Sequence, residues 1–201
     1  MSDAQLAALV QTLPHSGQLT ELRLTWRWMT PNDAPHVLGS TPLPAPITRV
    51  LRSLSIKGMS HPTAAFQPPD LACCPALESL DLCLTEGNAE LHEGITQLRR
   101  LSQLRVWAHW QEVPAVLAQL PLRMLSLQGC QFPQSTSQER LHGGMRALVG
   151  LSPTLQALEF QYCKLRALPV VLSSLTGLTS LRCRGADLLT LPAWLTLLTA
   201  S

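Results

Sequence analysis

Apolar side chains recur along the chain in one short pattern, which is clearest in LRMLSLQGCQF, residues 122–132. Counted from Leu122, apolar residues stand at offsets 0, 3 and 5, a cysteine at offset 8 and Phe132 at offset 10. Offsets 3 and 5 are two residues apart, so their side chains fall on one face of a β-strand. A strand alone does not explain the outer positions, which instead indicate one copy of a longer unit.

The same spacing returns in the second half of the chain. LQALEFQYCKL begins at Leu155 and LTSLRCRGADL begins at Leu178, 23 residues later. Looser copies begin at residues 19, 51, 77 and 101. Self-similarity at such a period is typical of repeat proteins, in which each unit buries its apolar face against its neighbours.

The pattern resembles that of the leucine-rich repeat family, L-x-x-L-x-L-x-x-N/C-x-L at a period of about 20 to 29 residues. The segment LRALPVVLSSLTGLTSLRC, residues 165–183, is also similar to the plant and bacterial style of this repeat. No unit carries the family's asparagine at offset 8, where the chain has Cys130 and Cys163 instead. The resemblance implies an α/β solenoid, a horseshoe with a parallel β-sheet on its concave side and short helices and loops on its convex side.

The resemblance covers nearly the whole chain and predicts one leucine-rich repeat domain over residues 1–201. It has about seven repeats, which start near residues 19, 51, 77, 101, 122, 155 and 178. Residues 2–13 are predicted to form an N-terminal capping helix that ends before Pro14.

Three insertions interrupt the repeats, at residues 30–46, 60–76 and 133–150. The first two are rich in proline and are predicted to be surface loops. In the third, Thr136 and Glu139 have the spacing of a capping box, which predicts a helix. No capping segment follows the last repeat before Ser201, which predicts either an end-to-end contact with a partner or a longer array.

Composition narrows the kinds of partner. The 201 residues are 46% hydrophobic and 14% charged, with a net charge of +2 and no basic run, which argues against a nucleic-acid ligand. Neither a signal segment nor a run of 18 apolar residues is present, so we expect no membrane contact and a cytoplasmic location, with a cytoskeletal or axonemal one as the alternative.

The adjacent Cys73 and Cys74 are then expected to be reduced thiols, a disulfide or redox role being the alternative.

Side chains at offsets 2, 4, 6 and 7 of each repeat are predicted to face the concave side, because those at offsets 3 and 5 face inward. Tryptophan, tyrosine and arginine at such positions are typical of binding surfaces. Trp26 and Trp107 are either anchors for a ligand or packing under a neighbouring loop. The candidate protein-binding residues are Arg23, Trp26, Lys57, Asp81, Arg105, Trp107, Gln128, Glu159, Gln161, Tyr162, Arg182 and Arg184.

Catalytic and metal-binding motifs are missing from the sequence. It contains no phosphate-binding loop, no H-E-x-x-H, no G-x-S-x-G and no C-x-x-C, and its six histidines stand singly, so no metal and no cofactor are predicted. We therefore expect a non-catalytic protein-interaction module that binds a protein ligand on its concave face. One alternative is the recognition part of a larger regulatory protein, such as a ubiquitin-ligase adaptor or an immune receptor. Another is a thiol enzyme using Cys83, for which Lys57 is a poor base and Arg105 cannot be one.

Overall fold

A computed structural model describes residues 18–27, 48–59, 71–84, 91, 93–133 and 143–195, without the side chains of residues 26–27 and 58–59. The predicted capping helix at 2–13 and the predicted loop at 30–46 lie outside the described residues, as do 60–70 and 134–142 of the other two insertions.

Seven β-strands in this part of the chain form one parallel sheet, ordered as they follow in sequence. Each strand begins two residues after a predicted repeat start, so the inward-facing offsets fall at its second and fourth positions. The parallel sheet predicted from the sequence is confirmed. The strands are β1 (Glu21–Arg27), β2 (Ser53–Met59), β3 (Ser79–Leu84), β4 (Gln103–Ala108), β5 (Met124–Gln128), β6 (Ala157–Gln161) and β7 (Ser180–Arg184).

Two rows of apolar side chains cross the sheet and form the centre of the core. Since the strands pair in register, residues at the same offset lie side by side, as Leu125 does with Leu104 and Leu158. The offset-3 row comprises Leu22, Leu54, Leu80, Leu104, Leu125, Leu158 and Leu181. The offset-5 row comprises Leu24, Ile56, Leu82, Val106, Leu127, Phe160 and Cys183. Only their last members, on β7, are partly exposed.

One backbone arrangement recurs where each strand begins. The carbonyl oxygen of Thr20 accepts hydrogen bonds from two consecutive N–H groups of the next coil, those of Arg52 at 2.8 Å and Ser53 at 3.0 Å. The corresponding carbonyls of later coils each accept two in the same way; they belong to Arg52, Glu78, Ser102, Arg123 and Gln156. These shared acceptors fix each strand against its predecessor and satisfy backbone groups at the sheet edge.

Short 3₁₀ helices lie in the segments that return the chain from one strand to the next. They span Leu71–Cys73, Glu93–Gln97, Ala115–Gln119, Arg146–Leu151 and Val170–Ser174. Buried leucines follow one another at intervals of three, as at Leu172, Leu175 and Leu178. Three residues make one turn of a 3₁₀ helix; Leu172 lies in such a helix, and Leu175 and Leu178 continue the spacing beyond its end. Of the helix predicted in the third insertion, residues 143–145 are helical.

Beyond β5 and β6, buried side chains close the core. The rings of Phe132 and Phe160 meet edge to face, with centroids 6.2 Å apart and planes at 85°. Cys130 and Cys163 are each only 1% exposed. None of the helices among the described residues has both the length and the apolar character needed to cross a bilayer.

Candidate protein-binding surface

The sheet turns one face towards the buried leucines, and we call its other face, the one predicted to be concave, the open face. Side chains at offsets 2, 4 and 6 stand there in rows about 4.8 Å apart from strand to strand. The offset-4 row reads Arg23, Ser55, Asp81, Arg105, Ser126, Glu159 and Arg182. The offset-6 row reads Thr25, Lys57, Cys83, Trp107, Gln128, Gln161 and Arg184.

Asp81 forms an ion pair with Lys57 on one neighbouring strand but not with Arg105 on the other. Its carboxylate lies 2.8 Å from the ammonium of Lys57 and accepts a hydrogen bond from the hydroxyl of Ser55 at 3.4 Å. Arg105 lies beside Asp81 in the strand register, yet its guanidinium makes no ion pair within the described part of the chain. The exposed guanidinium of Arg105, on the fourth of the seven strands, is therefore not neutralised by any described carboxylate.

Glu159 belongs to the offset-4 row of the open face, but its side chain is almost wholly buried. It is 8% exposed, and its Oε2 accepts a hydrogen bond from the hydroxyl of Ser126 at 3.3 Å. The guanidinium Nε of Arg184 lies 3.6 Å from its Oε1. Arg182, which lies beside Glu159 in the register, is exposed and has no ion-pair partner among the described residues.

Two aromatic side chains on this face are exposed and held against glycines. Trp107 is 41% exposed and Tyr162 is 62% exposed. A Cβ atom at Gly129 would lie 2.7 Å from the indole Nε1, and one at Gly185 would lie 2.6 Å from Cδ1 of the tyrosine. Both glycines adopt left-handed backbone conformations, with φ of +70° and +61°. Each ring is therefore supported from the next coil and keeps one face towards solvent.

The other predicted residues divide by exposure. Gln128 and Gln161 are half-buried, whereas Arg23 is exposed and forms a surface ion pair with Glu21 at 2.7 Å. The side chain of Trp26 lies outside the described residues.

A cleft of about 720 Å³ opens where strands β4, β5 and β6 end. Trp107 and Tyr162 line it, together with residues that follow the strands, among them His109, Phe132 and Lys164. Sequence reasoning missed these last three, because the repeat pattern assigns no outward positions beyond offset 7. No sequence signal marks them, since their proximity depends on the turns that follow each strand.

Tyr162 and Lys164 adopt left-handed backbone conformations, with φ of 55° and 49°. Such angles are uncommon for residues other than glycine and cost about 1 to 3 kcal/mol each. Strained residues of this kind cluster at ligand-binding sites. The two flank Cys163 and line the cleft, so the backbone there is held in one particular path.

The cysteines near the cleft are packing residues of the core. A hydrogen bond with Cys163, aided by burial, raises the pKa of Cys130 far above its usual range, while the same bond lowers the pKa of Cys163 against the effect of burial. Both thiols also face backbone carbonyl oxygens: Cys163 donates to those of Leu127 and Gln161 at 3.3 Å, and Cys130 lies 4.0 Å from that of Gln128. Cys83, considered above as a nucleophile, is half-buried, and the ammonium of Lys57 pairs with Asp81 instead. Within the described ranges, no cluster of three or more His, Cys, Asp or Glu side chains could hold a metal ion.

Comparison with known proteins gives similarity in structure only. No protein-family model and no curated protein sequence matches the chain. A leucine-rich repeat protein of Leptospira interrogans is 21% identical, with a TM-score of 0.54 over 93% of this chain and 49% of its own. The chain thus spans about half the length of that protein. An internalin from Listeria monocytogenes is 15% identical, with a TM-score of 0.34 over 91% of this chain and 69% of its own.

Proposed function

The chain has a leucine-rich repeat fold, and we propose that it is a non-catalytic interaction module whose open face binds a protein ligand. The fold provides a parallel sheet with one face on the core and the other turned outwards. Side chains on that outward face are positioned by strand register and not by mobile loops, which lowers the entropy lost on binding.

The observation that carries this proposal is the presence of Arg105, Trp107 and Arg182 on the same open face of the sheet. The two guanidinium groups are exposed and form no ion pair among the described residues, although carboxylates lie beside them in the register. An exposed indole stands on the same strand as Arg105. Tryptophan and arginine are enriched among the residues that dominate binding energy at protein interfaces.

A pull-down from a lysate of the source organism tests the proposal. The test variant is the triple substitution Arg105→Ala, Trp107→Ala and Arg182→Ala. We expect proteins retained by the wild type to be lost, because residues of this type each contribute about 2 kcal/mol or more at the centre of an interface.

The matched control replaces two arginines and one large apolar residue that lie outside the strands: Arg99→Ala, Arg146→Ala and Val149→Ala. All three side chains are exposed, so the control changes the net charge by the same amount and also removes exposed apolar surface. Recovery of the same proteins in equal amounts by the wild type and both variants would show that the open face does not bind them.

A further inference from the structure

We infer that the cleft between Trp107 and Tyr162 is a binding site for an acidic polypeptide segment carrying an apolar side chain. This inference rests on the proposed function, since it names the chemistry of the ligand at one end of the same surface. The volume of the cleft, about 720 Å³, lies within the range of ligand-binding pockets in proteins.

The cleft has two aromatic walls whose positions are fixed before any ligand arrives. The indole of Trp107 rests on Gly129 and the phenol ring of Tyr162 rests on Gly185, with no room for a Cβ atom at either glycine. Aromatic rings that are already held in place lose little conformational freedom on binding. They offer an apolar side chain of the ligand a surface on both sides.

The wall of the cleft includes deeply buried apolar residues as well. Phe132 and Cys163 line it and are 3% and 1% exposed, so they contribute the part of the wall that lies deepest. These two side chains are almost out of contact with water, so the hydrated apolar surface is that of the exposed Trp107 and Tyr162 rings, from which an aliphatic or proline side chain displaces water favourably. This part of the site accounts for the apolar side chain of the ligand.

The positive charge around the cleft is the reason for proposing an acidic ligand. Among the described residues, Lys164 is exposed, makes no ion pair and is the one residue lining the cleft that has a full charge, and no described Asp or Glu lines it. Its left-handed backbone conformation holds the base of the side chain beside Cys163.

Two further cations extend this positive field along the open face. Arg105 lies on β4 two residues before Trp107, and Arg182 lies on β7, and neither is neutralised by a described carboxylate. A ligand segment with carboxylates on both sides of its apolar residue would meet Lys164 at one end and a guanidinium at the other. Such complementarity raises the rate of association and selects against basic partners.

Stacking surfaces and cations also occur in proteins that bind single-stranded nucleic acid. Here Asp81 and Glu159 lie in the same row as Arg105 and Arg182, and the chain has a net charge of only +2. A continuous phosphate backbone that followed this row would meet the Asp81 carboxylate, whereas a short peptide can place its own charges beside Arg105 and Arg182; Glu159 is buried and meets neither ligand. The charge pattern therefore favours the peptide.

Fluorescence anisotropy with synthetic peptides tests the inference. The probe is a labelled twelve-residue peptide of Asp and Glu around a central Leu-Pro pair. Two matched peptides replace that pair by Ser-Ser or replace every acid by Lys, and a twelve-nucleotide oligothymidylate serves as the nucleic-acid probe. We expect the acidic Leu-Pro peptide to bind at least about tenfold more tightly than any other probe, and its affinity to fall as salt is raised from 50 to 300 mM.

Two variants locate the binding. Tyr162→Asn removes the ring but retains a residue type that tolerates the left-handed conformation, and Lys164→Gln removes the charge from an exposed position. Tyr162→Asn should weaken binding of the acidic Leu-Pro peptide at least about tenfold and Lys164→Gln about two- to fivefold, whereas Arg99→Gln, which removes a cation outside the strands, should leave it unchanged. Circular dichroism melts show whether Tyr162→Asn remains folded, and the exposed Lys164→Gln substitution provides an independent test if it does not.

Failure of the wild type to bind the acidic Leu-Pro peptide would overturn this inference, and so would equal binding of the Ser-Ser peptide or tighter binding of the oligothymidylate. Unchanged binding by both cleft variants would also overturn it. None of these results affects the pull-down with the Arg105, Trp107 and Arg182 variant, which bears on the proposed function alone.

Discussion

The indole ring of Trp107 lies against Gly129 of the following coil, so closely that a Cβ atom on the glycine would stand 2.7 Å from the indole Nε1. The glycine is left-handed, with φ of +70°. Substitution of Gly129 by alanine should therefore lower the free energy of unfolding by about 1 to 3 kcal/mol, through backbone strain and displacement of the ring. Urea unfolding measures the loss.

Gly177→Ala is the matched control for this substitution. A Cβ atom there would lie 3.5 Å from the nearest heavy atom, the carbonyl oxygen of Leu155, which is an ordinary contact, and its φ is not left-handed. Its unfolding free energy should stay within about 0.5 kcal/mol of the wild type. Equal stability of the two alanine variants would contradict the packing of Trp107 on Gly129.

Leu125→Asp should unfold most of the array. Leu125 is fully buried on β5, where it packs between Leu104 and Leu158, so the carboxylate would lose its hydration without gaining a partner. The milder Leu125→Ala should cost about 2 to 5 kcal/mol through the cavity it creates. Thermal melting followed by circular dichroism measures both effects.

The same leucine-to-aspartate change at Leu189, which is 71% exposed, should leave the melting curve almost unchanged. A near-wild-type melt of Leu125→Asp would show that neighbouring coils do not share one core.

Glu159→Ala should destabilise the fold more than Glu21→Ala, although Glu21 lies closer to its arginine. The Arg23–Glu21 pair measures 2.7 Å but both side chains are at least half-exposed, so its loss should cost about 0 to 1 kcal/mol. Loss of the buried Glu159 carboxylate leaves the fully buried hydroxyl of Ser126 without its acceptor, at a cost of about 1 to 3 kcal/mol. Chemical unfolding of the two variants side by side gives the order, and the reverse order would show that ion-pair distance outweighs burial here.

Cys183 should make stability fall at alkaline pH. Burial, and in second place the charge of Cys163, raises the pKa of the Cys183 thiol in the folded protein. In the unfolded chain this thiol loses its proton at lower pH than in the fold, so its stabilising contribution is complete below the unfolded pKa and is lost as the pH rises through the folded one. Between pH 7 and pH 10, the unfolding free energy of the wild type should therefore fall more steeply than that of Cys183→Ala. Parallel pH profiles for the two proteins would refute the role of Cys183.

Alkylation should separate the cysteines by exposure. Cys73 is exposed, whereas Cys74, Cys130 and Cys163 are buried. Iodoacetamide at neutral pH should modify Cys73 first and the buried thiols only after unfolding, as read by peptide mass spectrometry. Faster modification of Cys83 than of Cys73 would revive the thiol-enzyme alternative.

Strand positions could be predicted from the sequence because burial on one face fixes the register of each strand. A shift by one residue would turn Leu125 and Leu127 outwards. The spacing of the leucines therefore locates the sheet, even where the offset-8 position departs from the family pattern.

The candidate site was less predictable, because its properties depend on choices between near-equivalent partners. Asp81 has a cation on each neighbouring strand, Lys57 on β2 and Arg105 on β4, and it pairs with Lys57. Glu159 looks in sequence like any other outward residue, and only the positions of Ser126 and Arg184 show that it is enclosed. Periodicity gives the direction of a side chain but not its partner.

The paired strands β5 and β6 hold a further consequence. Their repeats start 33 residues apart and not 23, yet Leu125 and Leu158 remain aligned. Return segments can therefore lengthen during evolution while the distances between outward side chains stay constant. The length of a return segment and the identity of the outward side chains can therefore change independently, and neither change requires new core residues.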